Sequence, residues 1–251
     1  MSEERLPDRI SIGVLARTFT PALLDEVIDA ADAREIRYRR LPARLVMVFT
    51  LACWLFTRSG YGLVMSRLAD AHALHGPGWG NWQIPSTGAI AKARARLGAT
   101  PLRLLFERVA GPVGTPATPG VFWRGLRVAA VDGFTLDLPD TPENAAHFGR
   151  GGNGSAWANP YPQLRALALA ECGTRALLCA AHGPSSTGEQ TLATDLLGAL
   201  GPGMLLLAEA RLRVLAALAR RRRDRRAAVL ADRCVVHPAR AAGPARGHLP
   251  E

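Results

Sequence analysis

The chain has little lysine, few cysteines and no long apolar run. Lys92 is the only lysine among 251 residues, and there are four cysteines. The cysteines show neither a CxxC pair nor zinc-ligand spacing, which argues against the common zinc folds and predicts reduced thiols. The longest apolar run, Leu45–Phe56, has twelve residues. Because a membrane-spanning helix needs about 20 residues, this run predicts a buried helix.

The first residues lack the apolar segment of a secretory signal. Residues Met1–Arg5 are mostly charged, with two glutamates and one arginine. A signal peptide would need an apolar stretch here. We therefore expect a cytoplasmic protein with no membrane partner.

The positive charge is concentrated near the C-terminus. The net charge is +10, and residues 211–251 hold eleven arginines against three acidic residues. The high isoelectric point therefore reflects this segment, and mean charge alone does not establish nucleic-acid binding.

The first part of the sequence predicts helices. Thr20-Pro21 is typical of a helix start, with Thr20 as N-cap and Pro21 at the first helical position. Pro85-Ser86-Thr87 predicts a second start of the same kind, and Gly98 the end of that helix. Residues 111–120 contain three prolines and three glycines, which marks a domain boundary.

After this boundary the pattern predicts strands and one helix. The hairpin surrounds Cys172-Gly173, and Thr187-x-x-Gln190 is a capping-box pattern for the helix. The predicted order is a strand at Leu126–Val131, a loop at Asn144–Pro162, a hairpin at Leu164–Glu171 and Thr174–Ala181, a helix through Leu200, and a strand at Met204–Ala208.

Acidic residues follow two of these strands. Asp132 comes directly after Val131, and Glu209 directly after Ala208. Carboxylates at neighbouring strand ends could bind Mg²⁺ or Mn²⁺, the ions used for phosphodiester cleavage. The alternative is that Asp132 forms a turn or caps a helix. Asp137 and Asp140 are expected in a solvated turn.

Basic residues cluster at two places in the helical part. Arginine suits phosphate contacts and the reading of guanine. The alternative is a solvated face with ion pairs to Asp29, Asp32 and Glu35. The candidate DNA-binding residues are Arg37, Arg39, Arg40, Arg44, Lys92, Arg94 and Arg96.

An ordered set of motifs resembles one family. The set is Arg37-Tyr-Arg-Arg-Leu-Pro-Ala-Arg44, Pro85-Ser-Thr-Gly-Ala-Ile-Ala-Lys-Ala-Arg-Ala-Arg-Leu-Gly98, Pro101-Leu-Arg-Leu-Leu-Phe106, Val131-Asp-Gly-Phe-Thr-Leu-Asp-Leu-Pro-Asp-Thr-Pro-Glu-Asn144, Phe148-Gly-Arg150 and Tyr161-Pro-Gln-Leu-Arg165. Together these motifs are similar to bacterial DDE transposases of the insertion-sequence-four family, over about residues 8–209.

The resemblance implies an α+β protein that acts in DNA transposition. It implies a helical N-terminal domain (1–115) that recognises DNA ends, the first half of a ribonuclease-H-like mixed sheet (121–209), and an irregular or helical Arg/Ala-rich tail (210–251). Family members cleave and transfer DNA strands with Mg²⁺ or Mn²⁺ bound by two Asp and one Glu. Asp132 matches the first Asp as catalytic and metal-binding residue. The implied partner is DNA with terminal inverted repeats. Whether the chain forms a homo-oligomer is left open.

The sequence departs from the family at the second catalytic position. Glu209 stands where the family has Asp, and no Gly-Phe follows it. For residues 211–251, codons can be chosen whose second reading frame, starting one nucleotide later, encodes the missing Gly-Phe. We therefore expect a frameshifted, disordered tail and a truncated copy without catalysis. Leu230-Ala-Asp-Arg233 resembles the second Asp motif, but we expect no paired strand before it. The alternatives are a DNA-binding remnant that represses transposition and a non-functional pseudogene product.

Overall fold

A computed structural model describes residues 6–37, 39–70, 83–151, 159–208 and 228–231. The chain divides into two compact units, residues 1–109 (unit 1) and residues 110–251 (unit 2). The described part of unit 1 is helical, whereas unit 2 is built on a sheet. The predicted α+β class is therefore confirmed.

Unit 1 is organised around its third helix. Its described helices are α1 (Leu6–Thr18), α2 (Pro21–Ala30), α3 (Ala43–Leu55), α4 (Tyr61–Asp70), α5 (Thr87–Leu97) and α6 (Thr100–Val109). Helix α3 packs against α1, α2, α4 and α5, and its Met47, Phe49 and Ala52 side chains are completely buried. The apolar run predicted to be a buried helix thus supplies the core of the unit. None of the helices in the described ranges is long and apolar enough to span a membrane.

Local signals in the sequence set two of these helix starts. The Thr20 hydroxyl accepts a hydrogen bond from the Leu23 amide at 3.3 Å, with Pro21 at the start of α2. The Ser86 hydroxyl likewise accepts from the Ala89 amide at 3.3 Å. Each hydroxyl satisfies an amide that has no partner inside its helix. Both predicted helix starts are confirmed.

Unit 2 contains a mixed sheet. Its described elements are β1 (Phe122–Trp123), β2 (Leu126–Asp137), α7 (Pro142–Phe148), β3 (Gln163–Glu171), β4 (Leu177–Pro184), α8 (Glu189–Leu196), β5 (Met204–Ala208) and β6 (Ala228–Ala231), with a short 3-10 turn at Leu197–Ala199. The strand order is β4-β3-β2-β5-β6, and β1 pairs with β2. Strands β2, β3 and β4 are antiparallel neighbours, whereas β2, β5 and β6 run parallel.

Helix α8 covers one face of this sheet. Leu192 and Leu196 of α8 pack with Ala129 and Val131 of β2 and with Leu206 of β5. Because side chains alternate between the faces of a strand, this cluster identifies the odd-numbered positions of β2 as the face under the helix. The even-numbered positions, which include residue 132, lie on the other face.

The first predicted strand is longer than expected. It was predicted to end at Val131, but β2 continues to Asp137. Its second half pairs with β3 from Asp132 opposite Ala168 to Asp137 opposite Gln163. Asp and Gly are rare in strands, so the sequence Asp132-Gly133 indicated a turn. The antiparallel pairing with β3 overrides that local preference.

Two further predictions in unit 2 were wrong. Thr187 does not cap the following helix: α8 begins at Glu189 with Gly188 as N-cap and no side-chain cap. The segment after residue 143 was expected to be a loop, yet α7 occupies Pro142–Phe148. Here Thr141 is the N-cap, and its hydroxyl accepts from the Asn144 amide at 3.2 Å.

The Arg/Ala-rich tail was predicted to be irregular or helical, but it contains a strand. Ala228–Ala231 forms β6, which pairs in parallel with β5 from Leu205 opposite Ala228 to Ala208 opposite Ala231. Leu230-Ala-Asp-Arg233 is therefore preceded by a paired strand, contrary to expectation. Four consecutive apolar residues can add to a sheet edge even within an arginine-rich segment. The rest of the predicted tail lies outside the described residues.

Candidate functional site

Asp132 lies on the exposed part of β2, beside the end of β5. The parallel pairing between β2 and β5 ends at Ala130 opposite Leu207, whereas β3 still pairs with Asp132 on the other side. The Asp132 side chain is exposed, and its Oδ1 accepts a hydrogen bond from the Gly133 amide at 2.8 Å. The residue therefore presents its carboxylate in the middle of a long strand and not at a strand end.

The second predicted carboxylate, Glu209, lies outside the described residues, as does Asp232. Ala208, to which Glu209 is bonded, ends β5, the strand next to β2. Within the described ranges, no three His, Cys, Asp or Glu side chains form a group that could hold a metal ion. Asp132 alone does not make a site for a divalent cation, which takes several oxygen ligands.

A third carboxylate approaches the same part of β2 from the face of α8. A Cβ atom placed on Gly133 would lie 3.7 Å from the carboxyl carbon of Glu189. Arg165 of β3 holds the preceding turn, because its Nη1 donates to the Thr187 carbonyl at 3.0 Å. Sequence reasoning missed Glu189 because a glutamate at the start of a helix is commonplace. Since side chains alternate along β2, Asp132 points to the opposite face.

The other acidic residues near Asp132 in the sequence have structural partners. Asp140 forms an ion pair with Arg150 at 2.6 Å. Asp137 ends β2 and accepts a hydrogen bond from Gln163 Nε2 at 2.9 Å. They were expected together in a solvated turn, but Asp137 belongs to the strand because β3 pairs with it. Motif residues Arg150 and Gln163 thus hold together the segments that flank the far end of β2.

A buried carboxylate network lies at the other end of β3. The Glu171 side chain is completely buried, and it accepts hydrogen bonds from Arg127 Nη1, Thr174 Oγ1 and, at 2.9 Å, the Gly114 amide. Burial raises the pKa of this carboxyl, but the three hydrogen bonds and the Arg127 charge outweigh burial, so the pKa lies below its ordinary value of 4.5. This network fixes the structure of unit 2 and was not identified from the sequence.

Some predicted DNA-binding residues have side-chain partners within unit 1. Arg44 binds both oxygens of Asp25, at 2.9 and 2.6 Å. Arg94 donates to the Tyr61 hydroxyl, and its guanidinium lies 5.3 Å from the centre of that ring. Arg34, in the same basic cluster, forms an ion pair with Asp29. These side chains have partners that stabilise the helical unit.

Other predicted DNA-binding residues face solvent. Arg37, Arg39 and Lys92 are exposed, and no ion pair involves them within the described parts of the chain. Arg40 is exposed but has a partner. Arg96 donates from Nη2 to the Leu41 carbonyl at 2.7 Å. The predicted residues are therefore of two kinds, and only part of the set is available to a ligand.

Three of the predicted basic residues line one cavity. It has a volume of about 460 Å³ and lies between the α2–α3 connection and α5. Arg37, Arg39 and Arg96 line it, together with Arg34 and Glu35. The structure thus brings together predicted residues from two separate motifs.

Comparison with known proteins supports the family resemblance. Residues 9–107 match the family described as insertion element 4 transposase N-terminal. The chain is 30% identical over 189 residues to the transposase InsG for insertion sequence element IS4 of Escherichia coli strain K12, covering 74% of this chain and 40% of the relative. It is 28% identical over 172 residues to the putative transposase InsZ of the same strain, covering 68% of this chain and 54% of the relative.

The match is partial on the relatives' side. The chain spans 40% of one relative and about half of the other. No solved structure matches the chain significantly. The predicted resemblance is nevertheless confirmed: residues 9–107 match the insertion element 4 transposase N-terminal family, and the chain is similar to insertion-sequence-four transposases.

Proposed function

We propose that the chain acts in DNA transposition, with unit 1 binding the terminal inverted repeats of an insertion element. The observation that carries this proposal is the match of residues 9–107 to the transposase N-terminal family. The exposed arginines Arg37 and Arg39 in that region support it, because phosphate contacts supply much of the affinity of DNA-binding proteins. The formation of a homo-oligomer remains a prediction.

We further propose that unit 2 has a ribonuclease-H-like fold. Its strand order β4-β3-β2-β5-β6, with three antiparallel strands followed by two parallel ones, supports this assignment. Helix α8 connects β4 to β5 and covers one face of the sheet. In such an arrangement β2 is the central strand, and groups at the end of its parallel neighbour lie next to it.

Within this fold, we propose Asp132 as one ligand of a divalent cation and Glu209 as another. Support for Asp132 comes from its exposure and from its place beside the end of β5. Carboxylate oxygens are the ligands that Mg²⁺ and Mn²⁺ prefer. Asp132 alone does not hold such an ion, which takes several oxygen ligands.

A second candidate function is DNA binding without cleavage, which would repress transposition. The observation that favours it is Glu209, which replaces the Asp of the family motif. Glutamate is one methylene longer than aspartate, and metal-dependent catalysis requires ligands placed to within about 0.5 Å. Both candidates share the DNA-binding role of unit 1 and differ only in the chemistry of unit 2.

The experiment that separates them uses the purified full chain and a duplex carrying the terminal inverted repeat. Sequence-specific binding followed by Mn²⁺-dependent cleavage, lost in Asp132→Asn, would support the transposase. Specific binding without cleavage would support the repressor. Equal binding to repeat and scrambled duplexes at about 150 mM salt, where charge contacts weaken, would contradict both. An aggregated protein without a cooperative unfolding transition would instead indicate a non-functional product.

A further inference from the structure

Arg96 of α5 contacts the segment between α2 and α3 at two points. Arg96 Nη2 lies 3.8 Å from a carboxylate oxygen of Glu35, and it donates to the Leu41 carbonyl at 2.7 Å. One rigid helix therefore holds two points of the chain that are six residues apart. Because α5 is fixed in the core by Ile90 and Leu97, the segment has a defined position on the surface of unit 1.

The described residues between these two points face solvent. Arg37 and Arg39 are exposed and form no ion pair within the described residues. The Ile36 side chain is 103% exposed, the highest value among the large apolar side chains that are described. Ile36 directly precedes Arg37 and lines the same cavity as the two arginines. An exposed apolar side chain beside exposed arginines can contact the sugar edge of a DNA groove while the arginines bind phosphates.

The charges around the cavity are complementary to a phosphate backbone. Arg34, Arg37, Arg39 and Arg96 line it, against Asp32 and Glu35. Glu35 is compensated by Arg96, and Arg34 is compensated by Asp29 outside the cavity. The charges left without an ion-pair partner among the described residues are those of Arg37 and Arg39 against that of Asp32, which leaves a net positive charge.

We propose that Ile36, Arg37 and Arg39 form a DNA-backbone-binding segment. Arg37 and Arg39 contact phosphates of duplex DNA, Ile36 makes an apolar contact with the sugar edge of the neighbouring groove, and Arg96 is a positioning residue that holds the segment. Arginine is suited to this role because its planar guanidinium can bind a phosphate through two parallel hydrogen bonds. The proposal rests on the proposed DNA-binding function and specifies which part of unit 1 carries it.

The salt dependence of DNA affinity tests the phosphate contacts. Fluorescence anisotropy with the full chain and a labelled duplex would be measured from about 50 to 200 mM salt, where each phosphate contact contributes about 0.9 to the slope of log K against log salt. We expect the double variant Arg37→Ala/Arg39→Ala to lower that slope by about 1.8. The matched control is Arg103→Ala/Arg108→Ala, which removes two exposed α6 arginines that already have carboxylate partners. It should leave the slope unchanged.

The outcomes separate this inference from the function on which it rests. If the wild-type chain binds no DNA, the proposed function fails. If it binds DNA and the Arg37/Arg39 variant keeps the wild-type slope, only the segment's role is overturned. Equal affinity for the single strand and the duplex would overturn the assignment to duplex DNA.

Two more variants test the other residues. Ile36→Ala should weaken binding without changing the salt slope, because the lost contact is apolar; unchanged affinity would overturn the role of Ile36. Arg96→Ala should weaken binding in the wild-type chain but have a smaller effect in the Arg37/Arg39 variant, where only the Ile36 contact remains to be lost. A full additive loss would overturn the positioning role. Thermal unfolding of each variant shows whether unit 1 remains folded.

Discussion

Arg127 on β2 and Glu171 at the end of β3 form an ion pair inside unit 2. The Glu171 carboxylate is completely buried, whereas the Arg127 side chain is 22% exposed. The same carboxylate also accepts from the Gly114 amide and from Thr174. One charged group thus joins the sheet, the hairpin turn and the segment that precedes β1.

Glu171→Gln should destabilise unit 2. The amide keeps the size of the side chain but loses the charge, which leaves Arg127 without a carboxylate partner in a poorly solvated position. Breaking a buried ion pair from one side typically costs about 3 kcal/mol. Urea denaturation of the full chain would measure the loss.

The matched control for this variant is Glu107→Gln, which breaks an exposed pair with Arg103 one helical turn away. Exposed pairs of this type contribute about 0.5 kcal/mol or less. Similar losses in the two variants would contradict the importance of the buried network.

The contribution of Glu171 should also depend on pH. Its pKa in the folded chain lies below the ordinary value of 4.5, so the folded state favours the ionised form. The resulting stabilisation is complete above the unfolded-state pKa and is lost as the pH falls through the folded-state pKa. The difference in unfolding free energy between wild type and Glu171→Gln should therefore be constant from pH 7 to about 5 and decrease below about pH 4.5. A difference that grows as the pH falls would contradict the assigned direction.

Gly173→Ala should destabilise the turn between β3 and β4. The added Cβ would lie 2.5 Å from the Pro119 carbonyl oxygen and 2.6 Å from the Val121 amide nitrogen. These are backbone atoms that cannot move aside cheaply, and such overpacking typically costs about 1–3 kcal/mol. The control is Gly198→Ala, where no atom lies within 4 Å. Equal unfolding free energies for the two variants would contradict this close packing.

Asp132→Asn should leave stability almost unchanged. The side chain is exposed, and its hydrogen bond is to the neighbouring Gly133 amide at 2.8 Å. An exposed substitution of this kind usually changes the unfolding free energy by about 0.5 kcal/mol or less. Any Mn²⁺-dependent cleavage should nevertheless be lost. A large loss of stability in denaturant would instead indicate that Asp132 has a structural role.

The sequence predicted the elements that depend on local signals. The helix starts at Thr20 and Ser86 follow from hydroxyl caps that need only neighbouring residues. The buried helix followed from a single apolar run, and the hairpin from two apolar segments that flank Cys172-Gly173. Strand β5 was predicted at its observed bounds, Met204–Ala208, from five apolar residues.

The errors involve contacts between residues distant in sequence. The extension of β2 past Asp132 depends on pairing with β3, and a Cβ atom at Gly133 would lie only 3.1 Å from Leu167 Cδ1. Strand β6 depends on pairing with β5 across an intervening segment of the chain. At the candidate DNA-binding surface, the sequence identified the basic residues. It could not show that Arg44 is bound to Asp25 while Arg37 remains exposed.

The most direct test of the account is the affinity of the full chain for its own terminal inverted repeat. Anisotropy titrations would compare a duplex of that repeat with a scrambled duplex at about 150 mM salt. We predict tighter binding to the repeat by at least about 1.4 kcal/mol, a tenfold difference in Kd. Equal affinity for the two duplexes, or no binding to either, would contradict the assignment of this chain to DNA transposition.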